Sequence, residues 1–126
     1  MRRDQLEHAI LAACQIAGLT EVIIVGSQAI LGTYSEDELP SYATRSVEID
    51  VLPIADDDGE IARLADEIEG AAGEFSPFAQ LHGFSIDGVD LQTSAQVIAA
   101  RLVSVPERYR RACEREATWL AHRTRM

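Results

Sequence analysis

The chain has 126 residues, of which 47% are hydrophobic and 25% charged, and this composition is typical of one globular domain over residues 1–126. Its formal net charge of −10 argues against binding to duplex DNA, because the phosphate backbone demands a basic surface. No apolar run approaches the ~18 residues that a membrane span needs. The two cysteines, Cys14 and Cys113, lie far apart without CxxC spacing, and we therefore expect a reduced, cytoplasmic protein.

The charges are unevenly distributed along the chain. All 11 basic residues are arginine, so any side-chain cation that contacts phosphate is an arginine. Acidic residues dominate 36–74, whereas arginines dominate 101–125. These complementary segments favour contact within one chain or in a homodimer, and the basic segment offers an alternative contact to an RNA acceptor.

The first part of the chain predicts a helix, a buried strand and a short second helix. Apolar residues at helical spacing predict a helix over 4–17 that ends at Gly18. The β-branched run at 21–25 predicts a strand that is buried on both faces. One or two helical turns are expected at 28–31, and a polar loop follows at 33–45.

A second strand is predicted at 46–52, where apolar and acidic residues alternate. The apolar face of this strand is expected to be buried and consists of Val47, Ile49 and Val51. Pro53 is expected to end the strand. A helix is predicted from about 59 to 72, with Asp58 as its N-terminal cap.

The remaining segments predict further strands and helices. They are a loop at 73–82, a strand pair or bulged strand at 84–93, a helix at 94–100, a short strand at 102–103 and a basic helix at 106–125. Asp87-Gly88 is a turn dipeptide and favours a hairpin within 84–93. The order of elements predicts an α/β (α+β) domain, with a small mixed sheet flanked by helices.

Two short motifs carry the candidate chemistry. Gly26-Ser27 follows a buried strand, where glycine permits close approach and the serine hydroxyl with a helix N-terminus can hold a phosphate. Glu48 and Asp50 share one face of a strand, about 6.6 Å apart, and such a pair can bind Mg²⁺ or a pair of metal ions. The alternatives are a plain turn and a solvated strand face.

Together these motifs resemble the nucleotidyltransferase fold of the DNA polymerase beta superfamily. Residues 45–50 (RSVEID) are similar to the stretch with a carboxylate, a hydrophobic residue and a second carboxylate in its small bacterial members, including toxin–antitoxin nucleotidyltransferases. The chain resembles more closely a branch of bacterial nucleotidyltransferase-like proteins of unknown function. The stretches shared with that branch are 26–32 (GSQAILG), 46–53 (SVEIDVLP), 73–78 (GEFSPF), 83–84, 88–89 and 101–103.

The resemblance implies a transferase that moves a nucleoside monophosphate from a nucleoside triphosphate to a protein, RNA or small-molecule acceptor. It implies that Glu48 and Asp50 bind Mg²⁺ or Mn²⁺. The nucleotide-binding residues would be Gly26, Ser27 and Arg45, although Arg45 is equally interpreted as an ordinary loop residue. A third carboxylate, Asp90 or Asp87, would activate the nucleophile.

The alternative is a catalytically degraded module with the same fold, which serves as an antitoxin or another regulatory partner protein. Glu48 stands where most active members have aspartate, and the third acid is ambiguous. Asp90 has hydrophobic neighbours on both sides, as the third acid would have, whereas Asp87 lies in the turn dipeptide. These departures favour the module, whereas the joint presence of Gly26-Ser27, Glu48 and Asp50 favours the enzyme.

Aromatic and histidine residues are predicted to be structural. Phe75 and Phe78 flank a proline in the 73–82 loop and are expected to pack into the core, with base stacking as the alternative. The histidines, His8, His82 and His122, have no metal-binding spacing, and each is interpreted as a surface or structural residue.

Overall fold

The computed structural model describes residues 1–91 and the backbone of 100–104. Its helices are α1 (Arg3–Ala17), α2 (Asp58–Ala72) and α3 (Pro77–His82), and its strands are β1 (Glu21–Val25), β2 (Glu48–Pro53), β3 (Ser85–Gly88) and β4 (Ala100–Ser104). Short 3₁₀ helices occupy Ser27–Gly32, Glu36–Glu38 and Ser41–Thr44. The expected α+β class is confirmed. No helix in the described part of the chain is long and apolar enough to cross a bilayer.

The four strands form one mixed sheet in the order β3-β2-β1-β4. β1 is antiparallel to both β2 and β4, whereas β2 is parallel to β3. A parallel pair requires a long crossover, and here α2 and α3 supply it. The strand predicted at 21–25 is central and has the predicted second strand beside it, as expected.

The main core lies between one face of the sheet and the helices α1 and α2. It combines alternate residues of the strands with the apolar stripes of these helices, and its members include Ile10, Cys14, Val22, Ile24, Ile49, Val51, Ile68 and Ile86. Successive strand residues point to opposite faces, so Glu48 and Asp50 lie on the face of β2 opposite Ile49 and Val51. The sheet therefore presents its carboxylates away from the main core.

The second strand begins two residues later than predicted. Val47 was expected on the buried face, but it precedes β2 and is 58% exposed. The hydroxyl of Ser46 accepts a hydrogen bond from the backbone N–H of Glu48 and donates one to its carbonyl oxygen. These local bonds satisfy backbone groups that a longer strand would need for pairing.

The helices around the 73–82 segment also differ from the expectation. The N-cap of α2 is Asp57 rather than Asp58, because the Asp57 carboxylate accepts the N–H of Glu60 at 2.8 Å. The predicted loop contains α3, which Ser76 caps by accepting the N–H of Ala79. A serine cap followed by proline in the first turn is a known start signal that the sequence interpretation missed.

The predicted hairpin at Asp87-Gly88 is wrong, because these two residues end a single strand, β3. A Cβ atom placed on Gly88 would lie 1.8 Å from the carbonyl oxygen of Ala65 in α2. Glycine therefore serves here for close approach between a helix backbone and a strand, a known role of glycine within strands.

Two predictions concern the C-terminal part of the chain. The short strand predicted at 102–103 is confirmed within β4. The predicted helix at 94–100 falls mostly outside the described residues, and its last residue, Ala100, begins β4. The basic helix at 106–125 lies wholly outside the described residues, as does its predicted contact with the acidic segment or an RNA.

Candidate metal centre

The strands β2 and β3 bring three carboxylates together. Asp50 pairs with Asp87 across the two parallel strands, and Glu48 lies two residues before Asp50 on the same face. One carboxylate oxygen of each residue lies within 4.8 Å of the other two. Among the described residues, this is the one group of three or more histidine, cysteine or acidic side chains with such an arrangement.

Mutual repulsion makes this cluster costly when all its members are ionised. A hydrogen bond with Asp87, partial desolvation and the charges of Asp87 and Asp50 raise the pKa of Glu48 to about 7. Desolvation and the charge of Asp87 also raise the pKa of Asp50. No arginine in the described part of the chain forms a salt bridge with any of the three. A bound cation would remove this cost.

The free energy of unfolding of the cation-free protein is expected to fall between about pH 4.5 and pH 7. The folded chain holds the Glu48 proton up to about pH 7, whereas the unfolded chain releases it near the ordinary value of 4.5. The folded state therefore binds more protons than the unfolded state in this range, and the free energy of unfolding declines as the pH rises. After allowance for solvent screening at this exposed side chain, we expect a decline of about 1 kcal/mol.

Urea unfolding in a chelating buffer at pH 5 and pH 8 measures this effect. The Glu48→Gln variant is expected to lose most of the decline, because glutamine cannot titrate. Asp37→Asn, which changes an exposed acid of the 33–45 loop, is the control and is expected to keep it. An equal decline in wild type and Glu48→Gln would contradict the assignment of the raised pKa to Glu48.

The Gly26-Ser27 turn lies directly beside the carboxylates. Val25, the residue before the turn, pairs with Asp50 across β1 and β2. Gly26 has a φ of 86°, and a Cβ atom placed there would lie 3.2 Å from an Asp50 carboxylate oxygen. A larger residue would be strained and crowded, so glycine keeps the turn close to the acids.

The short helix expected after the turn is present, but it is of another type. It is the six-residue 3₁₀ helix Ser27–Gly32. Its geometry gives few aligned peptide dipoles, so the phosphate-binding expectation loses the support of a helix N-terminus. The groups that could still contact a phosphate are the Ser27 hydroxyl and the backbone at Gly26.

A polar cavity of about 190 Å³ joins the turn to the acids, and it is lined by Val25, Ser27, Gln28, Ser46, Glu48 and Asp50. Gln28 is only 2% exposed. Its amide nitrogen donates to the Ser27 hydroxyl at 3.1 Å and to the Ala43 carbonyl at 3.3 Å, which fixes the orientation of the amide. Its amide oxygen is buried and has no hydrogen-bond partner among the described residues.

The unpaired oxygen of Gln28 is the feature that the sequence interpretation missed. A buried acceptor without a partner costs about 1–3 kcal/mol, so native proteins rarely leave one unless a ligand, ion or water completes it. Gln28 directly follows the Gly26-Ser27 motif, but a glutamine is usually exposed, and its burial depends on the distant Ala43 carbonyl.

Two predicted site residues lie outside this arrangement. Asp90 follows β3, is half-buried and is not one of the three clustered acids, so Asp87 is the third carboxylate of the group. Arg45 follows the 3₁₀ helix Ser41–Thr44, is exposed and does not line the polar cavity.

The aromatic residues divide into a packed group and one exposed ring. Phe78 contacts His8, His82 and Phe84, with ring centroids 4.5–5.6 Å from its own, which agrees with the expected structural role of Phe78 and of the two histidines. Phe75 is 82% exposed, so its predicted place in the core is wrong. Its φ of 67° is a left-handed conformation that costs a non-glycine residue about 1–2 kcal/mol.

Comparisons with protein-family models, curated proteins and solved structures find no match to this chain. The resemblance to nucleotidyltransferases therefore stays a prediction, which rests on the quoted stretches of sequence. The geometry adds an independent observation, because two of the three clustered carboxylates, those of Glu48 and Asp50, belong to residues that line one polar cavity together with Ser27 of the turn.

Proposed function

We propose that the chain is a metal-dependent nucleotidyltransferase, which moves a nucleoside monophosphate from a nucleoside triphosphate to an acceptor. The observation that carries this proposal is the convergence of Glu48, Asp50 and Asp87, whose oxygens lie within 4.8 Å of one another. The Gly26-Ser27 turn beside Asp50 supplies the place for the phosphates.

The residues fit Mg²⁺ or Mn²⁺. Both ions prefer oxygen ligands, and carboxylates are the usual protein donors to them. Gln28 lines the same cavity, and its buried amide oxygen has no hydrogen-bond partner in the described part of the chain. Glu48, Asp50 and Asp87 would hold the ion, which would neutralise phosphate charge and polarise the reacting phosphoryl group.

Residues of the cavity and of the adjoining acidic cluster supply binding and proton transfer. The Ser27 hydroxyl donates a hydrogen bond to a phosphate oxygen, and Gly26 lets the phosphates approach the backbone closely. An acceptor oxygen attacks the α-phosphorus, its proton passes to the Asp87 carboxylate, and pyrophosphate leaves. Most of the rate enhancement in such a reaction comes from positioning and neutralisation of charge.

One observation favours the alternative function, a non-catalytic partner protein such as an antitoxin. The interaction with Asp87 raises the pKa of Glu48 to about 7, so Glu48 can hold a proton near neutral pH and the cluster can persist without a cation. In that case the acidic surface itself would serve as a binding surface for a basic partner.

Incubation with each α-labelled nucleoside triphosphate and Mg²⁺ or Mn²⁺, with cell lysate as acceptor, distinguishes these functions. We expect transfer of label from at least one nucleotide and a loss of about 100-fold or more in Asp87→Asn, which removes the proton acceptor. Asp37→Asn is the matched control and is expected to retain full transfer. Binding of Mn²⁺ and nucleotide without transfer of label would favour the partner protein.

A further inference from the structure

A second cavity, of about 250 Å³, lies on the other side of Glu48. Its lining residues include Val47, Phe75 and Phe84, together with Glu48 and Glu74. Glu48 lines this cavity and the polar cavity alike. The two cavities are therefore adjacent, one mainly polar and the other mainly apolar, which is the usual anatomy of a site for a ligand with two unlike parts.

The apolar side of this second cavity is open to solvent at two large side chains. Phe75 is 82% exposed and Val47 is 58% exposed. Phe78, three residues after Phe75, packs against the rings of His8 and His82 and so anchors this segment to the core. The Phe75 ring itself lies outside the core. An exposed ring face on an anchored segment is a surface on which a flat ligand can stack.

We propose that this second cavity, which we name the Phe75 cavity, binds the nucleobase of the nucleoside triphosphate, with the base stacked on Phe75. The proposal rests on the proposed function, because it assigns the phosphates to the adjacent polar cavity. A base is the apolar, planar part of a nucleotide, and aromatic side chains stack on the face of any base.

The charges of the Phe75 cavity select against other parts of the same ligand. Glu74 is not one of the proposed cation ligands, so its negative charge repels phosphate groups and disfavours the triphosphate on this side. A carboxylate can accept a hydrogen bond from the amino group of adenine, cytosine or guanine. Glu74 is exposed at the rim, where it can accept such a bond while Glu48 faces the cation.

Calorimetric titration with two ligands that differ only in the nucleoside tests the proposal. The probes are Mn²⁺ with tripolyphosphate and Mn²⁺ with ATP. We expect the wild type to bind the ATP complex at least tenfold more tightly than the tripolyphosphate complex. Phe75→Ala is expected to abolish this difference and to leave the affinity for tripolyphosphate unchanged. Phe75→Tyr, which keeps an aromatic ring, is expected to preserve the difference.

The control variant is Leu81→Ala, which removes another large exposed apolar side chain, 78% exposed on α3, and is expected to bind both probes like the wild type. Equal affinity of the wild type for both probes, or an unchanged preference for ATP in Phe75→Ala, would overturn the base assignment and leave the metal-phosphate site intact. Absence of binding to Mn²⁺ and to both probes would overturn the proposed function, and the base assignment with it.

Discussion

Asp50→Asn is expected to abolish the stabilisation of the protein by Mn²⁺ and nucleotide while leaving the cation-free protein as stable as the wild type or slightly more stable. Asp50 is half-buried, and desolvation together with the charge of Asp87 raises its pKa. Removal of its charge therefore relieves repulsion in the cation-free protein. In the cation-bound protein that we propose, the same change would remove one of three anionic oxygen ligands.

Melting curves with and without 5 mM MnATP, a chosen condition about fifty times a typical ~0.1 mM Kd, measure both effects. The wild type is expected to gain about 2 kcal/mol, or roughly 5–10 °C in Tm, and Asp50→Asn is expected to gain nothing. The control Asp37→Asn is expected to respond like the wild type. An equal gain in Asp50→Asn and the wild type would remove Asp50 from the site, and no gain in either would remove the metal centre.

Gly88→Ala is expected to destabilise the protein by about 3 kcal/mol. The new Cβ atom would lie 1.8 Å from the carbonyl oxygen of Ala65 and 2.5 Å from its carbonyl carbon. Both are backbone atoms of α2, so the clash is relieved only if the helix and β3 move apart. Because Gly88 directly follows Asp87, this movement is also expected to weaken stabilisation by Mn²⁺.

Gly70→Ala provides the matched control for this prediction. Gly70 also lies in a regular element, α2, but a Cβ atom there meets no atom within 4 Å. Alanine favours the helix, so this variant is expected to be more stable than the wild type by roughly 0.5–1 kcal/mol. Urea unfolding of the three proteins measures the difference. A Gly88→Ala protein as stable as the wild type would contradict the close contact between α2 and β3.

Elements with a strong local pattern could be predicted from the sequence. The helix predicted at 4–17 is α1, and the β-branched run at 21–25 is β1, because helical spacing and a buried apolar run are properties of the segment itself. The hairpin at Asp87-Gly88 was wrong because the same dipeptide serves a turn or a close helix contact. Only the distant Ala65 distinguishes the two.

The candidate site shows the same division between local and distant information. Alternation along a strand predicts that Glu48 and Asp50 share a face. In the structure both lie on the face of β2 opposite Ile49 and Val51. The approach of Asp87 depends on the parallel register of β2 and β3, which no local pattern encodes. The burial of Gln28 depends likewise on the loop that carries Ala43.

The parallel pairing of β2 and β3 has a consequence for how the site can be tuned. Asp50 and Asp87 lie on either side of the crossover that contains α2, so the acids meet only while that helix is docked on the sheet. Local opening of α2 would separate them, so the affinity for the proposed cation would include the free energy of keeping the helix docked. If the proposed cation binds, substitutions on α2 that do not contact it are expected to raise or lower its affinity through the docking of the helix alone.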